Sequence, residues 1–154
     1  MKLIAVIVAL VAAAWADPAN SADLVGRWEG SFHCRWKEGR EGFRFHDRTA
    51  LMFISQSGDE LRILLEGAGY DGRLHVSEEN PGRGTIAAEG CLNDGNALGG
   101  VDDVVQMRFG KRREAYFIRG SFTTAGSLGG PGRCSFKFKR VHSNDVGISD
   151  CNAP

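Results

Sequence analysis

The stretch GRWEGSFHCRW, residues 26–36, decides the fold together with CSFKFKR at residues 134–140. In both stretches large apolar side chains alternate with polar ones, which is the period of a half-buried β-strand. If the two stretches pair as antiparallel strands, a single register aligns three notable pairs. These are Cys34 with Cys134, Phe32 with Phe136, and Trp28 with Arg140. The register predicts that the first and last strands are neighbours, as in a sheet closed on itself.

Six further strands are predicted between these two, at residues 43–56, 61–65, 73–77, 84–91, 104–109 and 116–122. The glycine-rich residues 67–72 and the basic residues 110–113 are interpreted as turns. No helix of ten or more residues is predicted. The pattern therefore favours an all-β fold, an eight-stranded antiparallel up-and-down β-barrel at residues 24–141. A two-sheet β-sandwich has the same strand signals and is the alternative, against which the first-to-last register argues.

Residues 1–16 have the order of parts of an export signal: Lys2, an apolar run, and small residues around Trp15. The run is shorter than the roughly 20 residues that span a bilayer, so we expect a cleaved signal peptide and no transmembrane segment. The protein is then periplasmic or secreted. A retained amphipathic or membrane segment is the alternative.

Charge and cysteine content limit the possible partners. Without Lys2, the 19 basic and 19 acidic residues become 18 and 19, a net charge of −1. This balance does not favour nucleic acid as a partner. Four cysteines in an exported chain predict disulfides rather than a zinc site or free buried thiols. Facing positions predict the bond Cys34–Cys134. The remaining pair, Cys91 with Cys151, would then tether a tail at residues 142–154.

Motifs for catalysis or metal binding are absent from the sequence. The four histidines are scattered, and no Gly-x-Ser-x-Gly elbow occurs. The adjacent carboxylates Asp102 and Asp103 point apart on an extended chain, so they do not form an acid and base pair. We expect no catalytic residue, no metal and no cofactor, and hence a protein that is not an enzyme.

The two longest predicted connections, residues 92–103 and 123–133, leave the same end of an up-and-down barrel. Trp28 and Arg140 belong to the opposite end. Because binding usually resides in long loops on a rigid scaffold, the long-loop end is predicted to be the open mouth of the barrel.

The tripeptide Gly26-Arg27-Trp28, with Arg140 in the last strand, resembles the lipocalin and calycin pattern. In that family a tryptophan packs beneath an arginine of the final strand at the closed end of the barrel. The resemblance covers these two short segments and implies a structural role for Trp28 and Arg140. A cation over an indole ring contributes about 0.5–2 kcal/mol.

The expected function is the binding of a small hydrophobic or amphipathic molecule at the long-loop end. By position and height, the upper interior would be lined by four aromatic residues: Phe32, Trp36, Phe45 and Phe136. The alternative is a protein-interaction barrel, such as an exported inhibitor of a secreted hydrolase, with a filled interior and loops inserted into the partner. Large aromatic residues inside a narrow barrel favour this alternative.

Overall fold

The computed structural model describes residues 22–36, 43–93, 104–124 and 132–148. Eight strands run through them in chain order: β1 Gly26–Trp36, β2 Phe43–Ser57, β3 Glu60–Leu65, β4 Ala68–Val76, β5 Arg83–Asn93, β6 Val104–Arg112, β7 Ala115–Thr124 and β8 Gly132–His142. Each strand pairs with the next, and β1 pairs with β8 to close the barrel. The all-β up-and-down barrel is thereby confirmed. Within the described ranges no helix is long and apolar enough to cross a membrane. The predicted signal peptide lies outside them.

The closing seam between β1 and β8 has the predicted register. Its antiparallel partners include Trp28 and Arg140, Phe32 and Phe136, and Cys34 and Cys134. The two cysteines form a disulfide with their Cα atoms 4.0 Å apart. The seam is therefore joined both by backbone hydrogen bonds and by a covalent cross-link.

The connection between β3 and β4 corrects the predicted turn at residues 67–72. The turn consists only of Glu66 and Gly67, with φ angles of 50° and 84°. Positive φ at both central residues is the conformation of a tight two-residue hairpin, so β4 begins at Ala68 rather than at residue 73. Gly72 belongs to this strand, where it pairs with Leu61 and Ala88, and a Cβ atom there would lie only 3.1 Å from Cδ1 of Ile63.

The connection between β6 and β7 is also shorter than predicted. Strand β6 continues through Gly110 to Arg112, and β7 begins at Ala115. The turn occurs at Arg113, whose φ of 55° lets a non-glycine residue reverse the chain. Gly110 faces outward within the strand and is not a turn residue.

The barrel interior is a packed apolar core. The bulkiest of its fully buried side chains are Trp28, Tyr70, Phe32 and Phe138. Space beside the inward glycines is already taken, since a Cβ atom at Gly120 would lie 2.5 Å from Cζ of Phe136. Large side chains thus fill the room that glycines leave, as expected for a narrow eight-stranded barrel.

Candidate functional site

The two ends of the barrel differ in their connections. The strand ends that border residues 37–42, 94–103 and 125–131 lie at one end, which we call the mouth. The connections after β2, β4 and β6 lie at the other, closed end, and the two-residue turn after β3 lies at the mouth. Residues 94–103 and 125–131, which contain most of the two long connections, lie outside the described residues.

The closed end is covered by the segment that precedes β1. Leu24 is fully buried there, and its backbone N–H donates to Oε1 of Gln56 at 2.9 Å. The side-chain amide of Gln56 donates in turn to the carbonyl oxygens of Ala22 (3.1 Å) and Gly58 (2.8 Å). Nε1 of Trp28 donates to the carbonyl oxygen of Leu24 at 3.1 Å. These bonds hold the segment across the opening, as a plug.

Arg140 completes the closed end. Its guanidinium carbon lies 6.0 Å from the ring of Trp28 and 4.9 Å from the ring of Tyr116. One guanidinium nitrogen donates to the carbonyl oxygen of Asp23 at 2.7 Å and lies 3.5 Å from the Asp23 carboxylate. Sequence reasoning missed Tyr116 and Asp23, because their contacts depend on how the barrel closes.

Near the mouth, four aromatic side chains form a layer across the interior: Phe32, Tyr70, Phe122 and Phe136. We call this the aromatic layer. The ring of Phe32 lies 6.1 Å from that of Phe122 and 6.4 Å from that of Phe136. Tyr70 of β4 lies 6.5 Å from Phe122 of β7, centroid to centroid, so side chains from separate walls meet inside. Each is at most 5 % exposed.

Of the four predicted ligand-lining residues, Phe32 and Phe136 belong to the aromatic layer. Trp36 pairs with Phe43 and Gly132, which places it at the last register positions of the mouth. Phe45 pairs with Cys34. The side chains of Trp36 and Phe45 lie outside the described part of the structure. Sequence reasoning missed Tyr70, since the predicted turn contained it, and Phe122, at the end of its strand.

No protein-family model, no curated protein and no solved structure matches this chain. The function of the mouth therefore has to be inferred from its own side chains. These are apolar rings above a packed core, next to the Cys34–Cys134 disulfide. Cys91 is also disulfide-bonded. Its predicted partner, Cys151, lies outside the described residues.

One histidine pair emerges from the register of β1 and β2. His33 faces His46 directly, and their rings lie 5.5 Å apart in an edge-to-face arrangement. The sequence did not indicate this pair, because a bulge after Gly30 shifts the register. In the described ranges no group of three or more histidine, cysteine, aspartate or glutamate side chains could hold a metal ion.

Proposed function

We propose that this chain is an exported, non-enzymatic, lipocalin-like barrel that binds another protein through its mouth end. The observation that supports this most is the contact between Tyr70 and Phe122 across the interior. Sites for small molecules usually enclose most of the ligand in a cavity of about 300–1,000 Å³. Among the described residues, the aromatic layer and the side chains packed beside Gly72 and Gly120 occupy the interior below the mouth, which argues against an enclosed cavity of this size.

A packed barrel is suited to presenting loops rigidly. The disulfide Cys34–Cys134 ties β1 to β8 at the mouth, and the plug at the closed end fixes the opposite side. Rigid support reduces the conformational entropy that loops lose when they bind. A secreted hydrolase whose active site accepts such loops is the partner class that fits this arrangement.

The second candidate is a small hydrophobic or amphipathic ligand held on top of the aromatic layer. It is supported by the apolar character of the layer and by its position near the mouth. Phe32 and Phe136 would form the floor of this site, and the other two predicted lining residues, Trp36 and Phe45, have side chains outside the described part of the structure. Such a ligand would be partly exposed rather than enclosed.

Native mass spectrometry and photo-crosslinking in the exported compartment distinguish the two candidates. If the partner is a protein, native mass spectrometry gives the mass of the chain without a small molecule, and benzoylphenylalanine at Thr123 near the mouth crosslinks to a second protein. The same group at Glu79, on a turn at the closed end, does not. A stoichiometric small molecule released on denaturation supports the second candidate. Equal crosslinking from Thr123 and Glu79 contradicts binding through the mouth.

A further inference from the structure

The positive charge of this nearly neutral chain is concentrated on one side of the barrel. Residues 104–124 and 132–142, which form β6–β8, contain nine lysines and arginines and a single acidic residue, Glu114. Residues 43–93, which form β2–β5, contain five lysines and arginines and eight acidic residues. These segments therefore differ in net charge, +8 against −3. The overall balance conceals this separation, which can orient the barrel toward an anion.

Strand register aligns three of these cations in a row. Arg108 of β6 is directly opposite Arg119 of β7, which is directly opposite Lys137 of β8. All three side chains are exposed. Among the described residues no ion pair involves any of them. Like charges that face each other across strands destabilise a sheet, and a bound anion would relieve that repulsion.

A groove beside the row is built around Gly110. A Cβ atom at Gly110 would have no neighbouring atom within 4 Å, so the space above it is open. Gly110 faces Arg83 on one side and Phe117 on the other. Arg108 and Arg112 follow on the same face of its own strand. The groove has a volume of about 510 Å³, and Arg119 and Lys137 extend its lining.

We propose that this groove binds a ligand carrying two or more phosphate groups. Several guanidinium groups border one open space, and a phosphate offers three acceptor oxygens with a charge of about −1.5 to −2. A carboxylate presents two oxygens in one plane and is matched by a single guanidinium fork. The positive charge of the row, together with that of the arginines around Gly110, is larger than the negative charge of one phosphate group. The site is on the outer wall and is independent of the proposed function of the mouth.

Calorimetric titration with inorganic tripolyphosphate, with thermal unfolding as a second readout, tests the proposal. At 100 times the Kd, we expect Tm to rise by about 5–10 °C. The double variant Arg108→Gln, Arg119→Gln should weaken binding at least tenfold. The matched control Arg48→Gln, Arg73→Gln removes the same charge from β2 and β4 and should change the affinity less than twofold.

A second variant separates the groove from general charge. Gly110→Val fills the open space without altering any charge, and it should also weaken tripolyphosphate binding at least tenfold. Circular dichroism and the Tm in the absence of ligand verify that each variant folds. The proposal is overturned if tripolyphosphate does not bind, or if both double variants lose affinity equally.

Two further probes identify the source of the phosphate. Vesicles of phosphatidylcholine with phosphatidylglycerol that bind wild type, but not Arg108→Gln, Arg119→Gln, support the proposal with a membrane surface as the source. Tripolyphosphate binding without vesicle binding supports a soluble ligand. Polyglutamate that binds as tightly as tripolyphosphate, at equal charge, contradicts the phosphate class in favour of an acidic polypeptide.

Discussion

Replacing Gly120 by alanine tests whether the barrel is packed up to its mouth. The new Cβ atom would lie 2.5 Å from Cζ of Phe136 and 2.7 Å from the backbone oxygen of Gln106. The first contact requires an aromatic ring to move within a packed core, and the second requires a backbone shift. Overpacking of this kind costs about 1–3 kcal/mol. For a chain of this length, Tm should fall by about 2–12 °C.

Gly110→Ala on the neighbouring strand is the matched control. The same chemical change is made there in open space, since no atom lies within 4 Å of the added carbon. We expect a free energy of unfolding that is unchanged or raised by about 0.4–1 kcal/mol, because alanine has fewer unfolded conformations than glycine. Urea unfolding followed by tryptophan fluorescence, with disulfides intact, compares the midpoints at constant m value.

The outcome bears directly on function. If Gly120→Ala unfolds at the same urea concentration as wild type, then Phe136 has free space beside it and the interior is not packed. The small-ligand candidate would then be favoured over a protein partner. If both glycine variants lose stability equally, the cost comes from the backbone, and the packing argument is wrong.

Three further predictions concern the closed end, the seam and the tail. Trp28→Ala should cost about 3–5 kcal/mol in chemical unfolding while leaving mouth crosslinking intact, because the buried ring supports only the closed end. Cys34→Ser should cost about 2–5 kcal/mol, given a loop of 100 residues, and should make Cys134 but not Cys91 reactive to iodoacetamide in denaturant without reductant, since Cys134 is buried in the folded chain. Hydrogen bonds from the Gly147 amide and the Ser55 hydroxyl lower the pKa of Asp145. This tail contact should therefore persist above the ordinary aspartate pKa and be lost as pH falls through the lower folded value, as an NMR titration of the carboxyl group can follow.

Each of these predictions has a control. Trp28→Phe keeps an aromatic ring and should lose less stability than Trp28→Ala; equal losses would mean that the indole makes no specific contact. Alkylation of Cys91 in Cys34→Ser would contradict the predicted pairing. Asp145→Asn should abolish the tail titration, and a transition that persists in this variant would have to come from another carboxyl group.

Features that depend on the local alternation of apolar and polar side chains could be predicted from the sequence alone. Side chains alternate along any strand, so the strands and their inward faces follow from the chain itself. The seam was also predictable, because β1 and β8 contain three mutually consistent pairs, including Cys34 with Cys134. The turns were less certain, since glycine marks both a reversal and a position where a neighbour fills the space. Gly72 is of the second kind, whereas Gly110 lies within β6 with open space above it and marks neither.

Contacts between strands that are distant in the chain were decided only by the tertiary structure. Tyr70 and Phe122 meet because closure brings β4 and β7 face to face across a narrow interior. Arg108 faces Arg119 because the turn at Arg113 sets the register of β6 on β7, and the separate register of β7 on β8 adds Lys137 to the row. A sequence fixes the alternation of its side chains locally, but the facing partners depend on turn length and barrel closure. For that reason the composition shows a nearly neutral chain, whereas in the folded barrel β6–β8 form one cationic side.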